Sequence, residues 1–243
     1  KLYGREAEVA ILLAAFERVS AGNTEMMLVA GFSGIGKTAL VNEVHKPIVR
    51  QRGYFIKGKF DQFKRDIPFS ALVQAFQTLM RQLLTESTDQ VQTWKSKILV
   101  ALGDNGKVII EVIPELEQII GPQPPVPELE GSAAQNRFNL LLQKFITVFT
   151  TAEHPLVIFV DDLQWIDLAS LKLIELLMGQ TNSHYLLLMG AYRDNEVNAA
   201  HPLILALEEI QKTEAVINQI TLGPLAQPDL NRLIADALSC PLD

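Results

Sequence analysis

The eight residues GFSGIGKT, positions 31 to 38, restrict the fold more than any other part of the chain. They fit the spacing G-x-x-x-x-G-K-[ST], they follow an apolar run, EMMLVA (25–30), that reads as a short buried strand, and they open a helical segment, KTALVNEVHKPIV. Glycines let the backbone curl between strand and helix, so that successive N–H groups and the positive helix end point at one anion. That anion is a polyphosphate. Gly31, Ser33, Gly34, Ile35, Gly36, Lys37, Thr38 and Ala39 form the expected nucleotide-binding set, with the Lys37 ammonium reaching the β- and γ-phosphates. The Thr38 hydroxyl is the expected ligand of a bridging magnesium ion.

A second stretch, IFVDDLQWID (158–167), answers the first. Four apolar residues, Val157 to Val160, run directly into two aspartates, and a carboxylate leaving water costs free energy unless a cation or hydrogen bonds compensate it. With a phosphate loop elsewhere in the chain, Asp161 fits the acid that completes magnesium binding at the end of another core strand. Asp162 is then the candidate to orient or deprotonate an attacking water; the alternative is a simple turn or helix cap. Asp167 reads as such a cap before LASLKLIELLM, and Trp165 either covers the site or packs in the core.

The remaining periodicities complete an alternating pattern. REAEVAILLAAFERV (5–19) is an amphipathic helix, GYFIKGKF (53–60) a second strand, and PFSALVQAFQTLMRQLL (68–84) a helix with Ser70 as expected N-cap. Residues 86–131 suggest two or three helical pieces broken by GDNG and Pro114, and read as a helical insertion. Ser132 and Gln135 fit a capping box opening a helix through FNLLLQKFITVF; then strand LVIFV, a helix, strand YLLLMGAY, helix PLILALEEIQ and strand AVINQITL follow. Near-continuous apolar strands alternating with helices predict an α/β fold, a three-layer αβα sandwich of the P-loop NTPase type around a mainly parallel sheet.

Composition narrows the partners. A chain of 243 residues with 48% apolar content supports a sizeable core, and no window reaches the roughly 18 uncharged apolar residues of a membrane helix. Net charge −7 and a pI near 5.2 work against non-specific attraction to nucleic acid or anionic lipid. The one concentrated basic cluster, KGKFDQFKR (57–65), reads as a solvated strand end and loop, or else as a binding patch. The single Cys240 excludes an internal disulfide, and His45, His154, His184 and His201 lack ligand-like spacing, which fits a reducing cytoplasm and no structural zinc. Starting without methionine and stopping in ALSCPLD, the chain reads as a domain of a longer protein.

Four segments, LYGREAEV, GFSGIGKT, VIFVDDLQWID and LMGAYRDNEV, carry a resemblance in order and spacing over nearly the whole chain. The chain resembles the STAND and AAA-like signalling ATPases, particularly the Orc1-like AAA-16 ATPase domain. GYFIKGKFDQF, IPFSALVQAF and AAQNRFNLLLQKFI look like the ATPase segment of large bacterial, notably cyanobacterial, signalling proteins. There, a Ser/Thr kinase-like domain precedes the segment and GAF and histidine-kinase domains follow it. The resemblance implies that Tyr3, Gly4 and Arg5 lie beside the adenine; the alternative for Arg5 is to cap or pair on its own helix. It implies that Arg193 senses the γ-phosphate, against a surface arginine paired with Asp194 or Glu196. It also implies an ATPase core over 1–222 and the beginning of a helical lid over 223–243, at LGPLAQPDL.

The expected function is a magnesium-dependent, slowly hydrolysing ATP/ADP switch that acts on adjacent signalling domains, with a homo-oligomer as a further expected partner. The absence of an N-K-x-D motif favours ATP over GTP. Two rivals stand beside it: a non-catalytic, ADP-bound interaction scaffold, and a P-loop kinase for a small molecule. Membrane partners are not expected, and nucleic acid is disfavoured by charge.

Overall fold

A computed structural model describes residues 2–179, 184–213 and 215–238. Cys240 and the end of the expected lid lie outside them. Five strands are present among the described residues: β1 (Thr24–Ala30), β2 (Tyr54–Lys59), β3 (Leu156–Asp161), β4 (Leu186–Tyr192) and β5 (Val216–Thr221). All pair in parallel in the order β2-β3-β4-β1-β5. Each parallel connection must cross over the sheet, and helices make those crossings and cover both faces.

Alternation along β1 divides the core. Met26, Leu28 and Ala30 face one side, Met27 and Val29 the other, and all are buried. The smaller side is closed by α1 (Glu6–Ser20) and α2 (Lys37–Arg50), whose Leu12, Phe16, Val19, Leu40, Val44 and Ile48 recur at helical spacing. On the larger side lie α3 (Ser70–Leu83), α4 (Thr88–Leu102), α5 (Gly106–Ile110), α6 (Leu116–Ile120), α7 (Gly131–Thr147), α8 (Leu168–Met178) and α9 (Pro202–Gln211). Trp94, Ile98, Ile109, Leu116 and Ile120 belong to the same cluster as strand residues Ile158 and Leu188, so the segment 86–131 shares one core with the sheet. The last described helix, α10 (Gln227–Leu238), buries only Ala235.

Two expected caps are replaced. α3 begins at Ser70 itself; Phe69 precedes it in a left-handed conformation, and the Phe69 N–H donates to Asp167 Oδ2 at 3.2 Å. α7 starts at Gly131 with Glu130 before it, and Gln135 donates along the helix to Asn139 instead of reaching back to Ser132. The capping box that does form is Ser87 with Gln90, at the start of α4. Asp167 caps α8 as expected, accepting from Ser170 N–H at 2.8 Å and from the Ser170 hydroxyl at 2.6 Å.

The register places the carboxyl ends of four strands along one edge. Ala30 stands beside Tyr192, Val160 beside Gly190, and Lys59 beside Asp161. At the β2 end the packing reaches the backbone: a methyl at Gly58 would lie 1.8 Å from the Ala71 carbonyl oxygen, so α3 rests directly on the strand. That contact and the ladder to β3 fix where Lys59 emerges.

Candidate functional site

The loop between β1 and α2 wraps the start of α2, and Gly34 and Gly36 adopt positive φ, with nothing within 4 Å of where their Cβ atoms would stand. Both the conformation and the open space favour glycine there, because a side chain would strain the backbone and stand in the way of an approaching anion. Lys37 is buried, and its Nζ donates to the carbonyls of Gly31 at 2.6 Å and Phe32 at 2.8 Å. Burial lowers its pKa, opposed by the charge of Asp161. Ser33, Gly34, Gly36, Lys37, Thr38 and Ala39 line a cavity of about 260 Å³ with Lys59, Asp161, Asp162 and Arg193. Ile35 lies beside that lining, its Cγ2 packed against Gly31.

Opposite the loop, β3 delivers both aspartates. The Thr38 hydroxyl donates to Asp161 Oδ2 at 2.8 Å, which brings the two oxygens proposed from sequence as metal ligands side by side. Asp161 Oδ1 accepts from the Asp162 N–H at 3.0 Å. Asp162 itself has φ 57 and ψ 47, a left-handed backbone that aspartate tolerates better than most residues. It is 5% exposed. Its Oδ1 accepts from Gln164 Nε2 at 2.9 Å, and its Oδ2, which lacks a well-aligned hydrogen-bond donor, lies 2.9 Å from Lys59 Nζ.

Arg193 leaves the end of β4, the strand between β1 and β3. Its guanidinium pairs with Glu196 at 2.7 Å, stacks 5.0 Å from the centroid of Trp165, and brings Nε to 3.9 Å from Asp162 Oδ1. The Glu196 pair is the one the surface-arginine reading expects, and Arg193 also lines the cavity of the phosphate loop. Trp165 is half-buried, packed against the core on one side and against Arg193 on the other.

Tyr3, Gly4 and Arg5 do not line this cavity. Arg5 is buried; it donates to the Gly223 carbonyl and to Glu8. Tyr3 bonds to Asp236, and a methyl at Gly4 would meet the side chain of Asp229. These contacts join the N-terminal segment to Gly223 and α10. Gly31 meets the neighbouring Leu222 from the other side, so the segment borders the base of the loop.

Two residues of the site escaped the sequence reading. Lys59 was seen only as part of a basic cluster, since nothing in the chain says that β2 neighbours β3. Gln164 sat unremarked inside DDLQW, yet it is 3% exposed and bridges the site: besides Asp162, its Oε1 accepts from the Arg193 N–H at 3.2 Å. The His201 Nδ1 accepts from the Leu203 N–H, which leaves its Nε2 to donate to the Gln164 carbonyl at 3.2 Å.

The sequence matches the AAA ATPase domain family over residues 1–189. The chain belongs to that family. Its AAA ATPase domain is 42% identical over 178 residues to hybrid signal transduction histidine kinase G of Dictyostelium discoideum, a match covering 73% of this chain and 5% of that protein. It is 24% identical over 171 residues to histidine protein kinase 1 of Candida albicans, covering 64% of this chain and 7% of the other. The chain thus spans a small fraction of the length of the curated relatives it matches. In three dimensions it resembles the crystal structure of Cdc6p from Pyrobaculum aerophilum, with a TM-score of 0.55 at 13% identity over 98% of this chain and 50% of that one. This likeness establishes the P-loop NTPase α/β fold of the AAA ATPase domain.

Proposed function

We propose that this AAA ATPase domain is a magnesium-dependent ATP-binding switch that hydrolyses ATP slowly and regulates the signalling domains of a larger protein, in the manner of STAND ATPases. The single observation that carries the reading is the convergence of Lys37, Thr38, Asp161 and Asp162 on one cavity at the carboxyl edge of the sheet. Ligands of open α/β sheets bind at that edge. The histidine-kinase names of two relatives support the signalling setting; the bacterial multidomain parent rests on the sequence resemblance alone.

The donor set fits magnesium. Thr38 and Asp161 offer hard oxygens within hydrogen-bond distance of one another, and no cluster of three metal-ligating side chains occurs among the described residues. Magnesium favours such sparse sites, since it keeps waters and takes its other ligands from phosphates. Thr38 and Asp161 would hold the ion, Asp161 directly or through a water. When bound, the metal supplies charge neutralisation between the β- and γ-phosphates.

The chain's own groups do the rest. Backbone N–H groups of Gly34 to Thr38 and the α2 N-terminus bind the phosphates, and Lys37 exchanges its carbonyl partners for phosphate oxygens. Asp162, on the cavity wall, orients water and accepts its proton, while Arg193 meets charge developing on the γ-phosphate. Tyr3, Gly4 and Arg5 border the base, so that Gly223 and α10 feel which nucleotide is bound. This is how hydrolysis would reach neighbouring domains, whether in one chain or in a homo-oligomer.

The Lys59–Asp162 ion pair favours a second reading, the ADP-holding scaffold, because a carboxylate oxygen engaged by an ammonium is less free to reach a water. Single-turnover hydrolysis of ATP with magnesium separates the two. The switch predicts slow turnover that falls by roughly 10²-fold or more in Asp162→Asn with nucleotide affinity kept. Equal, negligible turnover in both proteins, with ADP retained on purification, would establish the scaffold.

A further inference from the structure

A larger cavity adjoins the nucleotide site. About 440 Å³ in volume, it is lined by Lys59, Phe60, Asp61, Lys64, Ser70, Gln74 and Trp165. Lys59 lines both cavities, so it forms the wall between them. Two lysines from separate elements, Lys59 and Lys64, line it with one carboxylate, Asp61, whose Oδ1 already accepts from the Phe63 N–H at 2.9 Å, and the Lys59 ammonium also pairs with Asp162. The neutral groups add donors. Gln74 Oε1 accepts from the Lys59 N–H at 3.0 Å, which turns its role toward the cavity into that of its amide N–H₂, and Ser70 contributes a hydroxyl.

Ser70 is also the first residue of α3, a helix of 14 residues with no acidic residue in its first turn; the Phe69 N–H before it goes to Asp167, and no side chain caps the N–H groups of the first turn itself. The free N–H groups there are ordinarily satisfied by a cap, by water or by an anionic ligand. Trp165, with Arg193 stacked on its far side, closes the cavity with a flat apolar wall. The volume falls within the range of small-molecule sites, and the lining holds more cationic and donor groups than acceptors.

We propose that this cavity is a second ligand site for a small polyanion bearing phosphate or carboxylate groups, gripped between Lys59 and Lys64 at the start of α3. The bound anion shares Lys59 with Asp162, so it lies one side chain away from the nucleotide site.

The test needs no ATP, which keeps it separate from the reading of the nucleotide site. Inorganic phosphate and citrate are titrated in turn into the 243-residue chain and its Lys64→Ala variant, following binding by calorimetry and backbone amide shifts by NMR. Lys64 is exposed, so its loss leaves the core intact. The expected result is saturable shifts at Ser70, Gln74 and the Trp165 indole, with affinity at least ten-fold weaker in Lys64→Ala. Saturation by phosphate alone identifies phosphate-bearing ligands, by citrate alone carboxylates, and by both either source. Shifts confined to Gly34–Thr38, equal affinity in the two proteins, or no saturation by either anion would overturn the proposal.

Discussion

Asp162 is held from three sides: Gln164 donates to one carboxylate oxygen, Lys59 approaches the other, and Arg193 stands beyond hydrogen-bond range at 3.9 Å. Its direction is therefore set by neighbours as much as by its own rotamer. Gln164 has the further duty of fixing the Arg193 backbone, which ties the acid to the end of β4. Replacing it with alanine should leave Asp162 loosely aimed. The expected outcome for Gln164→Ala is a kcat lowered roughly 10- to 100-fold with nucleotide Kd changed little, the size of loss typical when a hydrogen-bonded support is removed. A parallel fall in melting temperature and affinity would assign Gln164 a structural part instead.

The elements explain which features were legible in the chain. LASLKLIELLM and PLILALEEIQ match α8 and α9 residue for residue, because apolar periodicity and a preceding Asp167 or Pro202 are local signals. The cap expected at Ser70 failed for a non-local reason: Asp167, distant in sequence, satisfies the N–H that precedes α3. Ser132 failed because Gln135 found Asn139 on its own helix, whereas the Ser87–Gln90 box in the same sequence pattern formed. Lys59 was illegible as a site residue since its role depends on β2 lying against β3. The glycine before it was equally silent. Gly58→Ala should force α3 off the strand and cost about 1–3 kcal/mol, as overpacked cores do. Thermal unfolding should register this as a melting temperature lower by roughly 2–4 °C per kcal/mol for a chain of this size.

At the scale of the molecule, the sheet separates two cores, and the cavity lies where strands from its middle end together. A nucleotide bound there would touch α2, β3 and β4 at once and should stabilise the whole unit. ADP with magnesium at about 100 times its Kd is expected to add about 2.7 kcal/mol, raising the melting temperature by about 5–10 °C, with no rise in Lys37→Ala. The strand order also governs how the chain reaches this state. Ala30, just before the phosphate loop, pairs with Tyr192, and Lys59 pairs with Asp161, so every ladder beside the loop joins distant parts of the chain. Such topologies fold slowly, because long loops must close before their contacts repay the lost entropy. On the ribosome the loop emerges before β3 and β4, so until they follow the cavity is unfinished and a nucleotide that binds there could not help the nascent chain fold.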